Sequence, residues 1–446
     1  MFVVLFLYVY LHLEYKNLIL IEVDMLLEFT VENHRSFYDR RTLELQSRKL
    51  SEDAKDNVAH ELSYSVLKTL AIYGANSSGK SNLVDALQAM KFSVLSSVKL
   101  NPNDPLSYTP FLLLKDNTKP TLFEVVFLKD GFCYRYGFSY TRTEIVEEWL
   151  FRKTTKRSKE QVLFIRNSDG IAFEDDKFPD GVGLESKLNG NRLFLSLCAQ
   201  LGGEISSRVI SWFEKDFHVV SGLNNQEYRL FSQMQFHQHR ETSKKALDFF
   251  KTLQLGFDEI STREEEVSIP DGLPKEFLPL FTKEVVGKKR IETESIHNMY
   301  DKNGVVCGSV HFPFDENESS GTRKLFDMSG PIFDTLEKGT VLVVDELDAK
   351  MHPLISQQII RLFNSPTTNP HHAQLIFTTH DTHLLSTKML RRDQIWFTEK
   401  NRSEQTDLYC LTDIVLPDGT KPRNDANYEK NYIAGRYGAV PYIVND

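Results

Sequence analysis

The run Gly74-Ala75-Asn76-Ser77-Ser78-Gly79-Lys80-Ser81 constrains this chain more than any other segment. It fits G-x-x-x-x-G-K-[ST], a loop whose backbone N–H groups converge on a phosphate. Residues 66–73 before it are apolar enough for a buried strand, and residues 82–90 after it read as the start of a helix. A strand, a glycine turn and a helix N-terminus together make an anion site. The unpaired N–H groups and the helix dipole both favour negative charge there. In this geometry Lys80 reaches the β- and γ-phosphates and Ser81 holds Mg²⁺. Gly74 to Ser81, with Asn82, form the expected nucleotide-binding set, and ATP and Mg²⁺ the expected cofactors. Such a loop belongs on a parallel sheet, so the chain is expected to be α/β.

Two later strands complete the pattern. Residues 340–346 are mostly β-branched and apolar, and end in Asp345 and Glu346. A buried strand of this kind delivers its last residues to the sheet edge where ligands sit. Asp345 is expected to hold Mg²⁺ through water, and Glu346 to polarise the attacking water. Residues 374–381 read as the next such strand, with His380 at its end, where it can contact a γ-phosphate and sense its loss. A strand-end histidine alone is more often structural. Here the order strand, Asp-Glu, helix (354–363), strand, His argues for a role. Glu318-Ser319-Ser320-Gly321-Thr322 precedes another helix, and places hydroxyls and a glycine backbone at its N-terminus. From spacing alone, a second anion site and a plain helix cap stand even.

Composition narrows the class. Of 446 residues, 41% are hydrophobic and 26% charged, which suits a soluble chain with several subdomains. The net charge of −9 leaves room only for a local nucleic-acid patch. Four cysteines, Cys133, Cys198, Cys307 and Cys410, are too scattered for a zinc ribbon or a disulfide framework, and read as reduced cytosolic thiols. Residues 1–24 are oddly apolar, but Glu14 and Lys16 interrupt the stretch that a membrane span would need. No basic n-region or cleavage site marks a secretory signal. The stretch reads as a dispensable or spurious extension, with Met25 as the natural start. No membrane element is expected, and the expected location is cytoplasmic.

Residues 26–46 alternate as two strands. Residues 121–127 and 132–138 read as a hairpin around Asp130-Gly131, with further strands at 145–152 and 161–166. Apolar residues at helical spacing in 206–213 and 243–255 mark a helical middle region without heptads. The expected organisation is 25–183 and 301–446 as two halves of one nucleotide-binding head, with 184–300 a compact, mainly helical insertion.

These motifs resemble the ABC-type ATPases of the SMC-like and RecF-like branch. The resemblance implies that Ser319-Ser320-Gly321 is a signature acting in trans, although the usual core is Ser-Gly-Gly. Residues 347–353 match the family's D-loop at the dimer seam, with Asp348 its acidic member. Asn33-His34-Arg35-Ser36-Phe37 is similar to an early turn whose arginine, here Arg35, approaches phosphate. No glutamine marks the loop that senses Mg²⁺ in that family. The 265 residues from Lys80 to Asp345 separate the chain from the AAA+ class, where the two motifs lie closer. Within the branch, Glu318 to Thr322, Asp345 to Pro353 and the tail 431–441 are similar to small AAA-labelled ATPases. Those proteins come from bacterial restriction-linked (RloA-like) and abortive-infection (AbiL-like) defence loci. The resemblance implies an ABC-type head with a mixed sheet and ATP-dependent self-association as a homodimer or higher oligomer. It also implies a separately encoded, nuclease-like effector.

Several features carry less. Asp180 with Glu185 and Lys187 is too compact for a PD-(D/E)xK nuclease, and His237 with His239 sits in a polar, solvent-suited stretch. Basic residues 152–159 and 288–290 suit solvated loops better than a phosphate backbone. Three functions stay open: an ATPase that regulates a defence effector, a RecF-like DNA-repair clamp, and a nucleotide-gated scaffold with little turnover. DNA or RNA remains an open partner.

Overall fold

The computed structural model describes residues 24–51, 55–221, 226–266, 289–385 and 389–441. All but the last residue of the expected 1–24 extension lie outside these.

The strands in chain order are β1 (Leu26–Glu32), β2 (Arg41–Glu44), β3 (Val58–Glu61), β4 (Tyr64–Leu67), β5 (Thr69–Tyr73) and β6 (Thr121–Lys129). Then come β7 (Phe132–Tyr140), β8 (Ile145–Lys153), β9 (Gln161–Asn167), β10 (Gly170–Phe173), β11 (Phe217–Ser221) and β12 (Glu259–Glu266). The last six are β13 (Lys289–Tyr300), β14 (Val306–Pro313), β15 (Val341–Asp345), β16 (Gln374–Thr378), β17 (Ile395–Lys400) and β18 (Thr406–Cys410). One six-stranded sheet has the order β11-β15-β16-β5-β17-β18, parallel except for its last pair. A seven-stranded antiparallel sheet has the order β10-β9-β8-β7-β6-β1-β2.

The parallel strands are short and apolar because both of their faces are covered. Alternate side chains go to two different cores. Leu70, Ile72, Val341, Val343 and Ile376 join the antiparallel sheet and the helix Lys80–Ser96. Ala71, Tyr73, Leu342, Val344, Leu375 and Phe377 join the helices Ser320–Lys338 and Pro353–Asn364. Gln374 ties the two sheets together. Its buried amide donates to the carbonyls of Leu26 and Leu67, both at 3.0 Å, and accepts from Leu26 N–H at 2.7 Å.

The hairpin of β6 and β7 turns on Asp130 (φ 47°) and Gly131 (φ 76°), the two positive values that a type I′ turn needs. The apolar run 66–73 is two strands rather than one. It breaks at Lys68, whose N–H goes to Asn57 and whose carbonyl accepts from Leu375. Among the described residues, the stretch expected as a helical insertion carries four α-helices: Phe194–Gln200, Glu204–Ser211, Gln226–His237 and Glu241–Thr252. It also supplies β11 to the edge of the parallel sheet, and β12 and β13 to a small sheet with β14. β12 reads Glu-Ile-Ser-Thr-Arg-Glu-Glu-Glu and is largely exposed, so it shows little apolar alternation.

The helix Ser320–Lys338 contains Pro331. Proline lacks the N–H that would reach the carbonyl of Asp327. The Ser232 hydroxyl donates to that carbonyl at 2.6 Å and accepts from Gly330 N–H at 3.0 Å. Among the described residues, no helix is long and apolar enough to cross a membrane.

Candidate nucleotide site

β5 is fully buried and ends where the glycine loop begins. Gly79 is the N-cap of the helix Lys80–Ser96 and has φ 113°. A Cβ there would run into the side chain of Thr406, and one at Gly74 would lie 2.5 Å from the Thr398 carbonyl oxygen. Both positions therefore need glycine, for conformation and for close approach. Ser77 also has positive φ, at 63°. The β17–β18 hairpin braces the loop from outside. Ser78 Oγ and Thr398 Oγ1 are 2.7 Å apart, and Thr406 Oγ1 donates to the Ser78 carbonyl at 2.9 Å.

Lys80 is buried, and its Nζ donates to the carbonyls of Gly74 (2.9 Å) and Ala75 (3.1 Å). Burial holds its pKa below the ordinary lysine value, against the pull of Asp345, Glu346 and Asp348. Asn76, Ser77 and Ser81 are exposed. Asn82 Nδ2 donates to Ser36 Oγ at 2.7 Å, which ties the phosphate-loop helix to the early turn. Arg35, in that turn, is engaged elsewhere. Its guanidinium grips Asp85 on the same helix at 2.5 and 2.8 Å, and His34 adds a third contact to that carboxylate. Burial raises the Asp85 pKa, but the bonds from His34 and Arg35 outweigh it and leave the group below its usual value.

At the neighbouring strand ends, Thr378 orders two residues at once. Its hydroxyl donates to Asp345 Oδ1 at 2.6 Å and accepts from Glu346 N–H at 2.7 Å. The chain then turns sharply, with φ 55° at Glu346. Asp348 Oδ2 accepts from His380 N–H at 3.3 Å, while its Oδ1 is buried and has no hydrogen-bond partner among the described residues. Burial, and then the Lys80 charge, hold the His380 pKa below the ordinary imidazole value, opposed by Asp348, Glu346 and Asp345. Lys80, Asp345, Glu346, Asp348 and His380 therefore share one electrostatic field, although 300 residues separate the first from the last.

The donor set suits Mg²⁺. The ion prefers one or two protein oxygens with water and phosphate completing its shell, and Asp345 and Ser81 offer a carboxylate and an exposed hydroxyl.

Ser319 caps its helix by accepting from Thr322 N–H at 3.1 Å, and Ser319 and Ser320 are exposed. Gly321 lies against the turn after β15: a Cβ there would be 2.8 Å from the Lys350 carbonyl oxygen. Thr378, Thr398, Thr406 and Lys324 were not singled out by the sequence reading. Thr378 lies two residues before His380, so the strand-end motif was its available signal.

Residues 70–386 match the family model described as "AAA domain, putative AbiEii toxin, Type IV TA system". The chain belongs to this AAA-domain family. The matched span contains the phosphate loop, the Asp345-Glu346 strand and His380, and membership makes this AAA domain an ATPase by family. That description names AbiEii, not the RloA-like and AbiL-like proteins that the motifs led us to expect. No curated protein matches the chain. Similar solved structures include an SMC head bound to the C-terminal winged-helix domain of ScpA, at 14% identity and TM-score 0.46, covering 86% of this chain and 98% of that one. Another is the SMC head domain from Thermotoga maritima, with the same identity and coverages and TM-score 0.40.

Proposed function

We propose that this AAA domain binds Mg²⁺ and ATP at a site completed by a second copy of the chain. Hydrolysis there governs a separately encoded, nuclease-like effector in bacterial anti-phage defence. The observation that carries the reading is a division of labour. Lys80, Asp345, Glu346 and His380 share one field, while Ser319 and Ser320 stand exposed at the start of another helix, with Gly321 half-buried beside them. The first group suits hydrolysis. The second offers hydroxyls and N–H groups at a helix N-terminus, a grip for a phosphate held by the partner copy.

Bound Mg²⁺ and ATP supply the electrophilic γ-phosphate and its counter-charge. Lys80 exchanges the carbonyls of Gly74 and Ala75 for phosphate oxygens. Glu346 accepts the proton of the attacking water, and Thr378 holds in place the Asp345 carboxylate that would bind the metal. His380 senses whether the γ-phosphate is present. Loss of the shared anion then loosens the pair, so association reports the state of the nucleotide. The toxin of a toxin–antitoxin system in the family description supports the defence assignment. Phosphate release tests turnover. Lys80→Ala is expected to lose about 10²–10³-fold, by analogy with removal of one transition-state contact. Equal rates for the variant and the parent chain would leave only the nucleotide-gated scaffold.

A second reading, a RecF-like DNA clamp, is favoured by one surface. A groove of about 860 Å³ is lined by Arg48, Lys49, Lys55, Lys156, Arg157 and Arg391. Arg48 and Arg391 are paired with Asp413 and Asp393. Lys49, Lys55, Lys156 and Arg157 are exposed and form no ion pair among the described residues. Reversing Lys156 and Arg157 to Glu is expected to weaken DNA binding and lower its salt slope by about 2. If the parent chain binds no DNA at low salt, this reading is lost.

A further inference from the structure

Lys324 is a fully buried ammonium. Among the described residues it has no carboxylate within ion-pair distance. Its Nζ donates instead to three main-chain carbonyls, those of Glu346 (3.1 Å), Leu347 (3.1 Å) and Ala349 (2.6 Å). Three donors thus meet three acceptors, which satisfies the group completely. Removing an ammonium from water is costly, and burial pushes the Lys324 pKa down to about 8. A neutral apolar side chain of the same length would avoid that cost but would leave three main-chain carbonyls without a donor.

The turn it holds is irregular. Glu346 and Lys350 have φ of 55° and 62°, in the left-handed region that residues with side chains seldom occupy. Carbonyls in such a turn have few strand partners and need donors from elsewhere. Lys324 supplies them from the helix Ser320–Lys338, near the end that carries Ser319-Ser320-Gly321. Gly321 lies so close to the same turn that a Cβ there would be 2.8 Å from the Lys350 carbonyl oxygen. Helix and turn are therefore joined at two points close to both sets of candidate residues.

The geometry points to Lys324 as a positioning residue that locks the turn carrying Glu346 and Asp348 to the helix that opens with Ser319-Ser320-Gly321. The two then move as one body. A phosphate gripped by the helix start in one copy is thereby coupled to the Glu346 carboxylate of that same copy. This rests on the reading of Glu346 as the base. Lys324 itself touches neither the phosphate loop nor Ser81.

The test compares Lys324→Met with the parent chain in phosphate release, ATP affinity and hydrogen exchange of residues 346–351. kcat is expected to fall roughly 10- to 100-fold, as for a reacting group misplaced by about 1 Å. KM and ATP affinity should stay within about twofold, since the phosphate loop is untouched. Exchange should quicken in 346–351 and remain unchanged in 74–82. If Lys324→Met does not fold, Lys324→Gln, which keeps an amide donor, decides by the same three readouts. An unchanged kcat, or a fall in ATP affinity with kcat preserved, overturns the inference. If the parent chain shows no turnover, the ATPase reading fails, and exchange of 346–351 alone decides the role of Lys324.

Discussion

His380 stands where burial and the Lys80 ammonium both disfavour a second positive charge, so its pKa lies below the ordinary imidazole value. The sign follows directly. The ring is neutral at pH 7 and takes up a proton only on the acid side of about 6.5. The unfolded chain binds that proton first, so the group's contribution to stability is present at neutral pH and is lost as the pH drops into the acid range. Phosphate release is expected to hold from roughly pH 8 down past 6.5 and to fall below it. His380→Gln should lower the plateau and remove that limb. A limb that survives the substitution would assign the titration to another group. The residues that carry the candidate chemistry were legible because they cluster in short runs: 74–82, 345–348 and 378–380. Their supports were not. Thr398 and Thr406 reach the phosphate loop from more than 300 residues away, and Lys324 reaches the 346–349 turn from a different helix. No spacing in a single sequence encodes such contacts.

At the scale of elements, the helix Ser320–Lys338 tests how far local rules reach. Pro331 should break it, yet the helix continues because Ser232 serves both backbone groups that the proline disturbs. Ser232→Ala removes that bridge inside a buried contact. It is expected to cost about 1–3 kcal/mol, read as a lower Tm in calorimetry. An unchanged Tm would mean that the helix bridges Pro331 without Ser232. The same logic explains what the sequence concealed. β5 and β15 are apolar on both faces and were easily seen, whereas β12 is charged and exposed and gave no apolar alternation. β11 was hidden for another reason. It gains strand character by pairing with β15, a partner 124 residues onward.

At the scale of the molecule, one parallel sheet separates two cores and brings the glycine loop and both strand ends to one edge. The architecture explains why motifs so far apart in the chain meet: parallel strands deliver their C-terminal ends to the same side. The central claim is that bound ATP holds two copies together and hydrolysis releases them. Glu346→Gln keeps the shape of the side chain and removes its basicity, so ATP should bind without being consumed. Light scattering of Glu346→Gln with saturating Mg²⁺ and ATP is the direct measurement. At least twice the mass of one chain is expected with ATP, and a single-chain mass without it. A single-chain mass under both conditions, with ATP binding confirmed, would contradict the claim.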